Sequence, residues 1–221
     1  LYRKGLVMAL RSRFAAPVTT WLLIINGLIW LGQISPVGAL FTNTMFYAPL
    51  FTPFEPWRML TAGFVHDWTG PIHILFNSYA IYIFGSQLEP MLGRNRYLLL
   101  YLLSIIGGSV AVLLLSDPRV PVVGASGAFF GLMGAFFIML RSLGQNPQQL
   151  LLLIVINLGI GFFVSGISWE GHLGGLITGA AIAAVYSETR RRNQRFAQLL
   201  GIAAIIGVLI LLTLWGVERI Y

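Results

Sequence analysis

Residues 97 to 115 read YLLLYLLSIIGGSVAVLLL, 19 consecutive positions without a charge. About 20 apolar residues in a helix cross the ~30 Å hydrocarbon core of a bilayer, so this run is read as a transmembrane span. The same signal recurs on both sides of it. Spans are placed at Val18 to Ile34, Pro71 to Leu88, Tyr97 to Leu115, Ser126 to Leu140, Leu150 to Ile167, His172 to Tyr186 and Leu199 to Val217. Composition agrees, because 57% of the 221 residues are hydrophobic and 10% charged, more apolar surface than one soluble core hides. The expected fold class is therefore all-α, a polytopic membrane protein. No soluble domain, repeat array or low-complexity tract interrupts it. The chain opens on Leu1, and its first apolar stretch lacks a small-residue cleavage site, so that stretch is expected to remain as a helix. With no cysteine, disulfides, thiolate metal sites and thiol nucleophiles are excluded.

The net charge of +7 raises nucleic acid as a partner, but the basic residues lie between spans. Counting alternate loops to opposite sides puts Arg3, Lys4, Arg11, Arg13, Arg94, Arg96, Arg141, Arg190, Arg191, Arg192 and Arg195 on the N-terminal side. Only Arg58, Arg119 and Arg219 of the 14 basic residues fall on the other. The positive-inside rule then sets the N-terminus in the cytoplasm and Tyr221 outside, and the partner of these charges is the lipid bilayer, with no nucleic acid. The outer loop from Ser35 to Gly70 is long and aromatic, which suits the membrane interface. Pro49, Pro53 and Pro56 exclude a long helix through its second half.

Polar groups within spans are costly and point to function. By parity, spans two, four and six start on the outer side, and those starts carry His73 with Asn77, Ser126, and His172. Taken singly, each is explained as a helix cap or an interface hydrogen bond. Gathered on one side, they suggest a site. Fifteen steps from Ser126 to Arg141 span ~22 Å of helix, and sixteen from His172 to Glu188 span ~24 Å, so both residues sit at similar depth below the outer surface. Small residues at Gly127, Gly131 and Ala135 face a matching series at Gly175, Gly179 and Ala183, so the two helices are expected to pack closely. His172 continues the second series and faces span four. A plain glycine zipper with an incidental histidine fits these spacings too. A serine within reach of a neutral imidazole has the parts of a nucleophile and base, and His73, Asn77 and the Ser126 N–H are candidate donors for an oxyanion. Glu170, Asp67 and Asp117 are poorly placed as a third member. A metal site from His66, His73 and His172 is disfavoured, because no H-E-x-x-H signature is present and Gly70 and Pro71 separate the first two.

This constellation resembles the rhomboid intramembrane serine proteases over nearly the whole chain. Gly124, Ala125, Ser126 and Gly127 match the family's G-x-S-G. His172, Gly175 and Gly179 match H-x-x-G-x-x-x-G, and His73 with Asn77 matches H-x-x-x-N. Trp57 and Arg58 match the outer-loop Trp-Arg pair, and Glu89 resembles the acidic residue closing the second core helix. The resemblance implies a six-helix core over residues 18 to 187, with a cytoplasmic segment at 1 to 17, and a basic loop and seventh transmembrane helix at 188 to 221. It implies an endopeptidase that cuts single-pass transmembrane protein substrates near the outer face, at a small residue, through a Ser126–His172 dyad without metal, ATP or other cofactor. Trp57, Arg58, Gly124, Gly127, Gly175, Gly179 and Phe130 would support the site. Two positions depart from the pattern. Gly171 stands where Ala often precedes the histidine, and Phe130 where some members carry Tyr, so Phe130 offers stacking but no hydroxyl. A rhomboid relative without catalysis is expected to lack Ser126 or His172, and a channel to carry polar residues through the full membrane depth. Neither pattern is present. A prokaryotic cytoplasmic membrane is the expected location; substrate identity and oligomeric state are not legible.

Overall fold

The computed structural model describes residues 16–164 and 166–221. Arg3, Lys4, Arg11 and Arg13, which contribute to the orientation argument, lie outside the described residues. Among the described residues every regular element is a helix. Its helices are α1 (Pro17–Gln33), α2 (Gly38–Met45), α3 (Arg58–Thr61), α4 (Ile72–Leu92), α5 (Arg94–Leu115), α6 (Ser126–Ser142), α7 (Gln148–Phe163), α8 (Trp169–Glu188) and α9 (Arg195–Ile220). Seven of these coincide with the expected spans, with ends moved by a few residues. The outer loop adds the short α2 and α3 and a 3-10 turn at Pro49–Phe51, in keeping with its prolines. Of the seven long helices, α5 and α9 are by length and apolarity alone sufficient to cross a membrane. α6 and α7 are apolar but shorter, and α4 and α8 carry the polar residues of the site.

Glycines determine how the centre packs. A Cβ added at Gly175 would collide with the backbone carbonyl of Gly127, and one at Gly179 with that of Gly131, so α8 rests directly on the backbone of α6. On its other flank, a Cβ at Gly107 of α5 would meet the Thr178 side chain, and one at Gly174 the carbonyl of Gly107. α5, α6 and α8 therefore form one backbone-to-backbone unit. Gly127 itself is less confined. A Cβ there would lie 3.5 Å from the Gly171 carbonyl and 3.7 Å from that of Ser104, ordinary contact distances.

α1 is attached by polar groups on its core face. Thr19, Asn26 and Gln33, seven residues apart, are all buried. The Ala16 side chain provides no cap for α1, and Glu89 of α4 takes that task. Its carboxylate accepts from Val18 N–H at 2.9 Å, from Thr19 N–H at 2.8 Å and from the Thr19 hydroxyl at 2.9 Å. An anion at a helix N-terminus satisfies otherwise unpaired donors and favours the helix dipole. At the same end of the bundle, Arg190 hydrogen-bonds the Ser142 hydroxyl, tying the end of α6 to the segment after α8.

Candidate active site

Ser126 is the first residue of α6 and half-buried. No side chain caps this helix start, so the first N–H groups, including that of Ser126, have no intrahelical partner. The approach to Ser126 is held by the outer loop. Tyr47 and Val122 exchange backbone hydrogen bonds of 3.1 and 2.7 Å, and Gly124 N–H donates to the Ala62 carbonyl at 2.9 Å. Gly124 has φ +125°, a conformation open to glycine, and a Cβ there would lie 2.9 Å from both Cε1 and Nε2 of His73. That same point is 3.8 Å from Ser126 Oγ, so the Cε1–Nε2 edge of His73 and the Ser126 hydroxyl both border Gly124.

His172 lies in the first turn of α8, which Ser168 caps by accepting from Gly171 N–H at 3.2 Å. Its ring is buried and stacks on Phe130, with centroids 4.2 Å apart and planes 15° from parallel. Phe130 is one turn beyond Ser126 on α6, so one aromatic ring fixes the imidazole relative to the serine-bearing helix. Among the described residues no hydrogen bond joins the Ser126 hydroxyl to His172, and His172 Nδ1 is buried without a partner. Such bonds are often loose before substrate binds. Glu170 bonds the Ser168 hydroxyl at 3.0 Å and supplies no third member.

Asn77 is buried on the His73 face of α4. Its amide nitrogen donates to the His73 carbonyl at 2.9 Å, which leaves its second N–H available, and Oδ1 is unpartnered. A cavity of about 40 Å³, lined by Ser126, Gly127, Gly171, Ser168, Gly63 and Val122 among others, adjoins the serine and has room for water.

His66 packs edge-on against His73, with centroids 5.2 Å apart. Burial pushes its imidazole down to about 4, the neighbouring His73 adds to this, and the Phe64 backbone opposes it. Neither ring nitrogen meets a partner at hydrogen-bonding geometry. No three His, Cys, Asp or Glu side chains among the described residues converge on a position for a metal ion.

The matched Trp-Arg pair divides. Arg58 is buried, ion-paired to Glu55, and donates to the carbonyls of Asn43 at 2.7 Å and Phe46 at 3.1 Å. Its guanidinium lies over the rings of Phe51 at 4.5 Å and Phe46 at 5.1 Å. Trp57 is 54% exposed, so its side chain does not join this packing. Sequence reasoning missed Glu55, the capping task of Glu89, and Gln33. A buried polar residue ending an apolar span was the available signal for the last.

A half-buried serine and a buried histidine at the same end of one glycine-packed helical unit, within a chain this apolar, fit the class of intramembrane serine proteases. A family model described as Rhomboid domain matches residues 53–189. The chain is 42% identical over 138 residues to rhomboid protease GluP of Bacillus subtilis (strain 168), a match covering 59% of this chain and 26% of that protein. It is 32% identical over 185 residues to the putative rhomboid protease YdcA of the same organism, covering 80% and 92%. To the mitochondrial RHOMBOID-like protein 6 of Arabidopsis thaliana it is 39% identical over 135 residues, covering 57% and 42%. The chain belongs to the rhomboid family, whose members are multi-pass membrane proteins. It spans nearly all of the second relative, about a quarter of the first and under half of the third.

Proposed function

We propose that this chain is an endopeptidase that hydrolyses single-pass membrane proteins near the outer face of the bilayer, with Ser126 as nucleophile and His172 as its base. The stacking of His172 on Phe130, one turn from Ser126, carries the reading, since it holds base and nucleophile on adjoining helices. The Ser126 oxygen attacks the scissile carbonyl carbon while His172 takes its proton. The resulting oxyanion is stabilised by the Ser126 N–H and by His73 and Asn77. His172 then protonates the leaving amine, and water hydrolyses the acyl-enzyme by the same proton route. The cavity beside Ser126 offers that water a protein-lined place below the membrane surface.

Around this site the six long helices of residues 18 to 187 form the core, residues 1 to 17 are a cytoplasmic segment, and 188 to 221 add a basic loop and the seventh span. The membrane is a prokaryotic cytoplasmic one, and the N-terminus lies on its cytoplasmic side, as Arg94, Arg96, Arg141, Arg190, Arg191, Arg192 and Arg195 favour. The test incubates purified variants in detergent with a single-pass substrate and maps fragments by mass spectrometry. Ser126→Ala abolishes cleavage, His172→Ala nearly does so, and the double variant is no worse than Ser126→Ala alone, because a catalytic unit is strongly non-additive. Undiminished, EDTA-sensitive cleavage by Ser126→Ala overturns the serine mechanism.

A further inference from the structure

Two side chains of α1 that take no part in the chemistry converge on the backbone just before α4. Gln33, the last residue of α1, is buried, and its amide pairs with both backbone groups of His66. Nε2 donates to the His66 carbonyl at 2.8 Å, and Oε1 accepts from His66 N–H at 2.9 Å. Trp30, one turn earlier, donates its indole N–H to the Asp67 carbonyl at 3.2 Å. Two consecutive residues of a loop are thereby fixed by three hydrogen bonds from one helix end.

The next bond gives this clamp a chemical meaning. Asp67 N–H donates to His73 Nδ1 at 3.1 Å. A backbone N–H can only donate, so Nδ1 must offer a lone pair, and the proton of the neutral ring resides on Nε2. Nε2, with Cε1, forms the ring edge that borders Gly124 beside Ser126. In the other tautomer the ring would present a lone pair to the developing oxyanion, which repels it. The Asp67 carboxylate is occupied in its own turn, accepting from Thr69 N–H at 2.9 Å and from its hydroxyl at 3.0 Å. It therefore leaves the backbone N–H as the partner of the ring.

We propose that Gln33, assisted by Trp30, is a positioning residue for the reaction: it fixes the His66–Asp67 backbone so that the Asp67 N–H holds His73 in the tautomer that donates from Nε2 beside Ser126. This rests on the reading of His73 as an oxyanion donor. It extends the working site to the end of α1, outside the matched family region.

The test uses the full chain in detergent with 15N-labelled histidine. In the wild type, the His73 resonances, assigned with His73→Ala, show a protonated Nε2 and a bare Nδ1. In Gln33→Leu, which keeps the volume and removes both hydrogen bonds, the His73 signals shift to a tautomer mixture. kcat falls about tenfold or more with KM little changed. Adding Gln33→Leu to His73→Ala costs nothing further. Should Gln33→Leu fail to fold, Trp30→Phe, which removes only the bond to the Asp67 carbonyl, gives the same change of smaller size. A proton on Nδ1 in the wild type, or an unchanged tautomer in both variants, overturns the proposal. Cleavage by His73→Ala at the wild-type rate removes the oxyanion reading instead. The resonance measurement still decides the tautomer, so the two failures are distinguishable.

Discussion

A serine hydroxyl gains its reactivity from its neighbours, and those of Ser126 come from four parts of the chain. The Gly124 conformation admits the His73 edge, Phe130 fixes His172, and Asn77 keeps one amide proton free after bonding its own helix. Donors that share an oxyanion are individually less costly to lose than a single dominant one, whose removal costs about 10²–10³ in rate. Asn77→Ala is therefore expected to retain measurable cleavage where Ser126→Ala does not. His66 is a different case, since it is buried and neutral. Burial pushes its folded-state pKa down to about 4 from the ordinary 6.5, so between those values the unfolded chain binds a proton that the folded chain refuses. The stability from a neutral His66 is fully present above that range and is lost as the pH falls from 6.5 toward 4. Thermal unfolding in detergent over this window should show a falling midpoint, and His66→Gln should flatten the slope. An unchanged slope in His66→Gln would assign the acid sensitivity to other groups.

At the scale of elements, α6 and α8 are joined through backbone rather than side chains, and the burden is unequal along the stripes. Gly175 and Gly179 press on the carbonyls of Gly127 and Gly131, whereas Gly127 has normal clearance. Gly175→Ala and Gly179→Ala should each destabilise by roughly 1–3 kcal/mol as overpacked positions, and Gly127→Ala should be nearly neutral. Comparing the three unfolding midpoints checks this, and equal losses would mean that contact is spread evenly along the interface. Small-residue spacing announced the α6–α8 contact in the sequence because close approach demands Gly or Ala at helical intervals. It did not announce which helix supplies the Cα–H surface and which the carbonyls, since that depends on relative translation. Glu89 illustrates the same boundary. Its position near the end of α4 was readable, but its role as the cap of α1 requires knowing that a helix begins beside it, 70 residues away in sequence.

Across the whole molecule, long apolar runs were legible because hydrophobicity is a local property, and so were Ser126, His73, Asn77 and His172 because they interrupt those runs. The outer loop was not, because aromatic content and prolines do not say what folds over what. Its organisation centres on Arg58, which bonds the Asn43 and Phe46 carbonyls at the end of α2 and lies over Phe46 and Phe51. Those carbonyls have no partner within a helix that stops there, so the guanidinium serves as a C-terminal cap as well as a packing centre. From Phe46 the chain passes to Tyr47, whose hydroxyl is 2.8 Å from Thr52 Oγ1 and whose backbone pairs with Val122, two residues before Gly124. A short path of backbone thus links the Arg58 contacts to the segment before Ser126. Arg58→Ala should lower the unfolding midpoint and slow cleavage. Arg58→Lys should not restore either, because an ammonium cannot reach two carbonyls, a carboxylate and two ring faces with one planar group. Trp57→Ala, at an exposed side chain, should cost less than either. Labelling of Ser126 by a serine-reactive fluorophosphonate should persist at a reduced rate in the Arg58 variants, the outcome expected of a loop that orients the site without doing chemistry. Complete loss of labelling in an Arg58→Ala protein that still unfolds cooperatively would place Arg58 in the catalytic machinery instead.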